Sequence, residues 1–347
     1  MKLLTYASAL LFVGSCAELS HNEKIEAIKS NIAINQPEKV MTYANTITQE
    51  ELRLHLFDFA SEEFQGREVG SKGQKLAVEY LKNFYLKNKI VSPFDGEDYY
   101  QEIPSEYFDG DYNDTENVLA YIEGSDKANE LIIISAHHDH EGVDEDGNIY
   151  YGADDDGSGN VALLEMAEAF QKAKDDGFGP RRSILFLHLT AEEKGLQGSR
   201  FYVENPVFPL ENTIANLNID MIGRVDRKHQ NLNNENYLYL IGSNRLSTEL
   251  HYISQAVNDQ FIQLDLNYTY NEENDRHRYY YRSDHYNFAQ QNIPVIFYFN
   301  GEHDDYHQIT DTADKINYKL LAKRTQLIFA TAWQLANQND RIVVDKI

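Results

Sequence analysis

The chain alternates between segments with a helical pattern of apolar residues and short apolar runs. An amphipathic helix opens after Thr48, where Glu51 occupies the third position of a capping box, and a second helix begins at Ser71. Apolar runs too short for a helix predict buried strands. They fall at 117–122, 131–134, 183–189, 213–222, 237–241 and 293–299, and helical patterns fall at 158–174, 246–257 and 320–337.

This alternation predicts an α/β fold, a three-layer sandwich in which a central, mostly parallel mixed sheet lies between helices on both faces. The sequence contains no internal repeat, low-complexity block or Gly/Ser-rich linker that would divide it. We therefore predict a single domain over 46–347 with an N-terminal helical segment. The polar stretch at 16–45 is predicted to be a tether.

The net charge of the chain excludes one class of partner. The chain has 31 basic and 56 acidic residues, so its formal net charge is −25 at pH 7. Such a charge repels phosphate backbones and anionic lipid headgroups, which excludes nucleic acid as a partner. With 42% hydrophobic residues the composition is that of a globular domain. The acidic excess therefore lies on a folded surface or in a site that requires carboxylates.

The first residues have the pattern of a targeting signal. Lys2 precedes an apolar run at 3–13 that is too short to span a bilayer. A plain secretory signal is one interpretation, but the Val13–Cys16 segment resembles a bacterial lipobox, and Cys16 is the only cysteine. We predict a lipoprotein signal peptide over 1–15 and lipidation of Cys16. The protein would be extracytoplasmic and lipid-anchored, at the periplasmic or outer-membrane face or at the cell surface.

Histidine and carboxylate side chains follow the predicted strands, where open α/β sheets bind their ligands. These positions are His137, the acidic run 154–156, the pair Glu192 and Glu193, Asp220, and His307. Neighbouring carboxylates in an apolar setting are costly unless a cation neutralises them. Imidazole and carboxylate groups suit one or two ions such as zinc. No Gly-x-Ser-x-Gly, His-Glu-x-x-His or P-loop motif competes with this interpretation.

Taken in order, these segments resemble the clan MH zinc-dependent exopeptidases, the dizinc aminopeptidase family that includes bacterial leucyl aminopeptidases, glutamate carboxypeptidases and glutaminyl cyclases. The resemblance extends from about Asp58 to the C-terminus. It implies a zinc peptidase domain with two Zn²⁺ ions per chain. The implied ligands are His137, Asp155, Glu193, Asp220 and His307. Asp155 would bridge the ions, with Asp154 and Asp156 as alternatives one position away.

The resemblance also implies a role for further residues. Glu192 would be the general base that takes a proton from a metal-bridged water and passes it to the leaving amine. Asp139 would orient the zinc-bound imidazole, and Asp284, in a Ser-Asp-His segment, would be a second outer carboxylate.

An oxyanion donor is expected from the tyrosine cluster 279–281. Tyr280 is the choice by its offset from the Ser-Asp-His segment, with Tyr281 as the next choice and simple packing as the competing interpretation. The neighbouring His138 and His140 receive no role.

The predicted function is that of a zinc-dependent aminopeptidase acting on extracytoplasmic peptides, with the membrane contacted only through the N-terminal lipid. A carboxypeptidase or a glutaminyl cyclase on the same fold is one alternative, and a non-catalytic, metal-bearing binding protein is another. A carboxypeptidase would need an arginine that captures the terminal carboxylate of its substrate. The available residues are Arg224, Arg276, Arg278 and Arg282.

Overall fold

An eight-stranded mixed sheet forms the centre of the protein. The computed structural model describes residues 20–346, so the predicted signal peptide and Cys16 lie outside the described residues. The strands are β1 (Tyr100–Ile103), β2 (Thr115–Ile122), β3 (Lys127–His137), β4 (Gly142–Val143), β5 (Ile149–Tyr150), β6 (Arg182–Leu189), β7 (Thr213–Ile219), β8 (Tyr237–Ile241), β9 (Asp265–Asn267) and β10 (Val295–Phe299). Their order in the sheet is β1-β2-β6-β3-β7-β10-β8-β9, and β4 and β5 form a separate hairpin.

The central strands β6, β3, β7 and β10 are parallel to one another. Antiparallel pairings add β2 and β1 on one side and β8 on the other, and β9 pairs in parallel with β8. The predicted mostly parallel mixed sheet is therefore confirmed. Because parallel strands end at the same edge, the segments that follow the central strands meet there.

Helices cover both faces of the sheet, as the sequence predicts. They are α1 (His21–Asn31), α2 (Pro37–Ala44), α3 (Gln49–Phe59), α4 (Lys72–Lys87), α5 (Gly159–Asp175), α6 (Gln197–Glu204), α7 (Arg227–Asn231), α8 (Thr248–Val257), α9 (His285–Gln290) and α10 (Tyr318–Asn337). Successive residues of β3 divide between two cores, because side chains of a strand alternate between faces. Ile132 and Ile134 join the core beneath α3, α5 and α10, whereas Ile133 joins the core beneath α6 and α9.

The predicted tether is wrong for the described part of residues 16–45, which forms α1 and α2. Pro37 begins α2, where a missing N–H costs nothing. Val40, Tyr43 and Ala44 are buried on one face of that helix, and the Tyr43 ring stacks on Trp333 at a centroid distance of 5.6 Å. A single helical turn of apolar residues within a polar stretch is too weak a signal to predict this helix.

Strand ends also differ from the sequence pattern. The apolar run 213–222 predicts one strand, but β7 ends at Ile219, so Asp220 lies just beyond the strand and not within it. The edge strands β1 and β9 were not predicted, because 4 and 3 residues are too few to show an alternating pattern. Within residues 20–346, no helix combines the length and the apolar character needed to cross a bilayer.

Candidate metal centre

The carboxyl edge of the central strands brings the five predicted ligands together around Asp155. One of its oxygens, Oδ1, lies 3.2 Å from His137 Nε2, which in turn lies 3.7 Å from Asp220 Oδ1. The other oxygen, Oδ2, lies 3.0 Å from His307 Nε2, which is 3.3 Å from Glu193 Oε2. Each oxygen of Asp155 thus faces a different imidazole and a different carboxylate, which is the arrangement of a carboxylate shared by two cations.

Of the three consecutive aspartates, only Asp155 faces both histidines. Asp154 accepts a hydrogen bond from the Gly223 N–H at 2.6 Å and faces His303 through its other oxygen. Asp156 accepts from the N–H groups of Met221 and Gly159. Both flanking carboxylates are therefore engaged in holding neighbouring main chain.

The turn that carries Asp155 is irregular and is held from the opposite side. It spans Ala153–Ser158, between β5 and α5, and its peptide bond between Asp155 and Asp156 is cis. The buried carboxylate of Asp311 accepts hydrogen bonds from the N–H groups of Asp154 and Asp155 at 2.9 and 3.2 Å. Burial raises the pKa of Asp311 to about 6. Asp311 thus fixes the turn from a loop more than 150 residues away in sequence.

His137 is oriented by main chain. Its Nδ1 lies 3.1 Å from the carbonyl oxygen of Asp139, which leaves Nε2 facing Asp155 and Asp220. The carboxylate of Asp139 lies 3.8 Å from the ring and instead accepts hydrogen bonds from the N–H groups of Glu192 and Glu193. Asp139 therefore connects the end of β3 to the loop after β6, and its role in orienting a zinc-bound imidazole stays a prediction.

The adjacent residues Glu192 and Glu193 have opposite electrostatic environments. Burial, reinforced by the charge of Asp220, raises the pKa of Glu192 well above its usual range. Burial also opposes ionisation of Glu193, but contacts with His140 and His307 outweigh it and hold the pKa of Glu193 at about 2. A pair of acids with separated pKa values suits one proton carrier and one permanent anion.

The donor set fits a pair of borderline cations. Both groups around Asp155 consist of imidazole nitrogen and carboxylate oxygen, the ligand types that Zn²⁺ takes in hydrolytic sites. Asp155 Oδ2 makes no hydrogen bond even though His307 Nε2 lies 3.0 Å away, so the two atoms converge without satisfying each other. Burial lowers the pKa of His307, but Asp155 and Glu193 raise it to about 10, a measure of how strongly this position attracts positive charge.

A cleft of about 290 Å³ opens over this centre. Its acidic wall contains Asp155, Glu192, Glu193 and Asp220. Aromatic side chains line other parts of the cleft, namely Tyr279, Tyr281, Phe297, Phe299 and Tyr306, and the charged residues Arg282 and Glu302 lie among them. The cleft therefore combines carboxylates with aromatic surface and a few further polar groups, the usual make-up of a small-molecule or peptide site.

Tyr280 does not belong to the residues that line this cleft. Its ring lies under the Arg245 guanidinium at 4.9 Å and packs so closely against Gly242 that an added Cβ there would lie 2.9 Å from the ring. Burial raises the pKa of Tyr280 to about 12. The role of Tyr280 stays a prediction, and Tyr281, the second choice, is the tyrosine of the two that faces the cleft.

Among the four arginines considered for carboxylate capture, Arg282 alone lines the cleft. Its Nη1 lies 3.3 Å from Glu302 Oε1, another residue of the cleft wall. Arg224 is paired with Asp305 at 2.7 Å, and Arg278 stacks on Tyr281. Arg276 is exposed.

Asp284 is fully buried, and neither of its carboxylate oxygens has a hydrogen-bond partner. Burial raises its pKa to about 7, and the charges of Asp139 and Asp220 add to that rise. These interactions place Asp284 within electrostatic reach of the centre. Its role as an outer carboxylate stays a prediction.

Arg67 is a contributor that the sequence did not reveal. Its fully buried guanidinium donates hydrogen bonds to four main-chain carbonyls, those of Phe59, His138, Tyr151 and Gly152, at 2.8–3.1 Å. It therefore joins the end of β3 to the turn before Asp155. The sequence offers no signal for this role, because the carbonyl groups come from three separate segments.

The fold of the chain is similar to that of known proteins. The fold resembles two solved structures: the Legionella pneumophila LapA aminopeptidase (TM-score 0.68, 21% identity, 89% of this chain and 77% of that chain) and BSAP, a zinc aminopeptidase from Bacillus subtilis (TM-score 0.65, 14% identity, 86% and 97%). At these identities the similarity establishes the fold alone, which this chain shares with the two aminopeptidases.

The sequence profile of Peptidase family M28 matches residues 117–332, more than half of the chain. The chain belongs to Peptidase family M28. A curated relative, the probable glutamate carboxypeptidase LAMP1 of Arabidopsis thaliana, is 35% identical over 106 residues, which is 30% of this chain and 14% of that protein. The chain thus aligns with only a small part of this relative. The family predicted from the ordered motifs is confirmed.

Proposed function

We propose that this protein is a zinc-dependent aminopeptidase that hydrolyses N-terminal residues from peptides outside the cytoplasm. The observation that carries the proposal is the division of Asp155 between two histidine and carboxylate groups, with Glu192 beside them in the cleft. Membership of Peptidase family M28 supports hydrolysis of peptide bonds as the reaction.

Two Zn²⁺ ions are the proposed cofactors. His137 and Asp220 would hold one ion and His307 and Glu193 the other, with Asp155 between them. When bound, the ions would polarise the scissile carbonyl and lower the pKa of water so that it is a nucleophile at neutral pH. The imidazole and carboxylate donors, and the zinc named for the Bacillus subtilis structure, support this choice of metal.

Glu192 is the proposed general base. It lines the cleft, and its raised pKa allows it to accept a proton and then to release it to the leaving amine. The Asp139 carboxylate accepts a hydrogen bond from the Glu192 N–H and thereby fixes the backbone at this position. A tyrosine hydroxyl, from Tyr280 by sequence or Tyr281 by cleft exposure, would donate a hydrogen bond to the developing oxyanion.

The pairing of the cleft's arginine argues against capture of the carboxyl end of a peptide. The cleft's Arg282 lies 3.3 Å from Glu302 and is therefore partly neutralised. Capture of a terminal carboxylate would require the substrate to displace Glu302, so carboxypeptidase activity is the second choice.

The proposal extends to the location of the protein. The sequence of residues 1–16 supports a lipoprotein signal peptide, lipidation of Cys16 and an extracytoplasmic domain tied to the membrane by that lipid. Peptides that reach this compartment would be its substrates.

The test uses the fragment from Ala17 onward, incubated with a mixed peptide library with and without a zinc chelator. Mass spectrometry then reads both ends of every peptide. Loss of N-terminal residues that the chelator abolishes is the expected result. Trimming at the C-terminus, or loss of ammonia from N-terminal Gln, would replace the activity with that of a carboxypeptidase or a cyclase. Metal binding without any change in the peptides would indicate a binding protein.

A further inference from the structure

His140 occupies a position beside the metal centre that the proposed function leaves without a role. It is fully buried and does not line the cleft. Its Nδ1 lies 2.9 Å from Glu193 Oε1, while the other oxygen of Glu193 faces His307 at 3.3 Å. The two oxygens of Glu193 are therefore divided between two imidazoles.

His140 is held by its backbone and by the packing of its ring. Its main-chain N–H donates to the carbonyl oxygen of Arg67 at 3.3 Å. On the other side the ring packs on Gly152, where an added Cβ would lie 2.6 Å from the ring atoms Cγ and Cδ2. Gly152 also has a φ of +54°, a conformation that disfavours residues with a Cβ, and its missing side chain leaves room for the ring.

Hydrogen bonding distinguishes His140 from a ligand. A metal-binding histidine normally donates its second ring N–H to a partner, which fixes the nitrogen that faces the ion. His140 Nε2 is buried without any hydrogen-bond partner, so the proton belongs on Nδ1, where the carboxylate of Glu193 accepts it. His307 Nε2 also lies closer to Asp155 Oδ2, at 3.0 Å against 3.7 Å for His140 Nδ1.

We propose that His140 is a positioning residue for Glu193. Its Nδ1–H holds Oε1 and thereby turns Oε2 toward His307 and Asp155, so that a cation meets a preformed carboxylate. The assignment of that cation as catalytic zinc rests on the proposed function, but the hydrogen bond itself does not. Loss of an outer hydrogen bond to a ligand lowers metal affinity by roughly 10–100-fold.

The experiment compares His140→Asn with His140→Leu. The two side chains have nearly the same shape, but the Asn amide carries an N–H close to the place of Nδ1 and Leu has no donor. Metal-free protein is titrated with Zn²⁺ against a chromogenic chelator, which resolves the binding steps without any substrate. His307→Ala marks the step that depends on Glu193 and His307, and His137→Ala marks the other.

We expect His140→Leu to weaken the His307-dependent step by roughly 10–100-fold, with little change in the His137-dependent step, and His140→Asn to restore most of the loss. Equal affinities for His140→Leu and the unchanged protein would overturn the proposal. So would an Asn variant as weak as the Leu variant, which would assign His140 to packing. Loss of the whole step in both variants would make His140 a ligand.

Circular dichroism of the metal-free proteins checks that each variant is folded. If the Leu variant does not fold, His140→Asn still tests the proposal, because the proposal requires it to keep nearly full affinity and a loss of affinity in this folded variant would overturn it. A protein that binds zinc as expected but cleaves no peptide would contradict the proposed function and leave this inference standing.

Discussion

Two buried glutamates in this protein have pKa values shifted in opposite directions. At the carboxyl edge of the sheet, Glu193 is almost completely buried and yet its pKa is about 2. In the helical layer, Glu165 of α5 is also buried, and burial raises its pKa to about 9. The nearest base to Glu165 is His55, whose Nε2 lies 3.5 Å from Oε1 and whose Nδ1 faces the Tyr80 hydroxyl at 2.7 Å.

The difference lies in the neighbours and not in the burial. Glu193 lies between two imidazoles, which stabilise its charge, and the backbone that carries it is fixed by the Asp139 carboxylate. Glu165 has one imidazole at a longer distance, and burial lowers the pKa of that histidine as well. A buried acid therefore stays ionised only where opposite charge is concentrated, which is also where a cation binds.

The largest effect is expected from a substitution at the carboxyl edge of the sheet that leaves the helical layer unchanged. Glu192→Gln should lower kcat by roughly 10²–10⁴-fold, because the amide cannot carry the proton, while zinc content is unchanged. The measurement pairs steady-state kinetics with metal analysis. Glu165→Gln is the matched control, an identical substitution at a buried acid outside the cleft, and should keep normal activity. Normal turnover by Glu192→Gln would remove Glu192 from the mechanism.

Removal of the metal should destabilise the protein only through the ligands at the carboxyl edge of the sheet. A ligand at 100 times its Kd adds about 2.7 kcal/mol to the free energy of unfolding, and a chelator takes that contribution away. Denaturant unfolding with and without chelator measures it. The difference should disappear in Asp155→Asn, which removes the carboxylate facing both histidines, and should persist in Glu165→Gln. A chelator effect of equal size in Asp155→Asn would place the metal elsewhere.

The pH dependence of stability should come partly from Glu165. Its pKa rises from 4.5 in the unfolded chain to about 9 in the fold, so the folded state binds more protons between those values. The contribution of Glu165 to the free energy of unfolding is fully present below pH 4.5. It falls by up to about 1.4 kcal/mol per pH unit as the pH rises toward 9.

Because Gln does not titrate, Glu165→Gln should flatten this slope. Its stability advantage over the unchanged protein should therefore grow from pH 5 to pH 8, as measured by urea unfolding at each pH. An advantage that stayed constant with pH would mean that Glu165 is ionised in the fold.

The smallest effect concerns the wall of the cleft. Tyr281→Phe should lower kcat about tenfold and leave KM nearly unchanged. The loss is smaller than that in enzymes whose oxyanion donor acts without metal ions, because the proposed metal ions would share the stabilisation of the oxyanion. Tyr280→Phe should have a smaller effect, because its ring packs against Gly242 and does not line the cleft. The reverse order of the two variants would return the donor role to Tyr280.

Several residues of the metal centre could be predicted because local sequence patterns identify the strands that they follow. The apolar runs that became β3, β6 and β10 identify strands, and the residues after them belong to one edge by the rule for parallel sheets. His137, Glu193 and His307 were found in this way, through ordered motifs that resemble a known family. The helical packing of α2 was missed because its buried face is a single turn whose partner, Trp333, is almost 300 residues away.

The sequence by itself determined the fold class, the family and the chemical character of the site, because strand patterns and motif order are local properties of the chain. Tertiary structure decided which of three adjacent aspartates faces both histidines, and it decided that Glu192 and Glu193 differ in pKa. It also supplied Arg67 and His140, whose contacts join distant segments. Distances between such segments, and the burial that sets their electrostatics, exist only once the chain is packed.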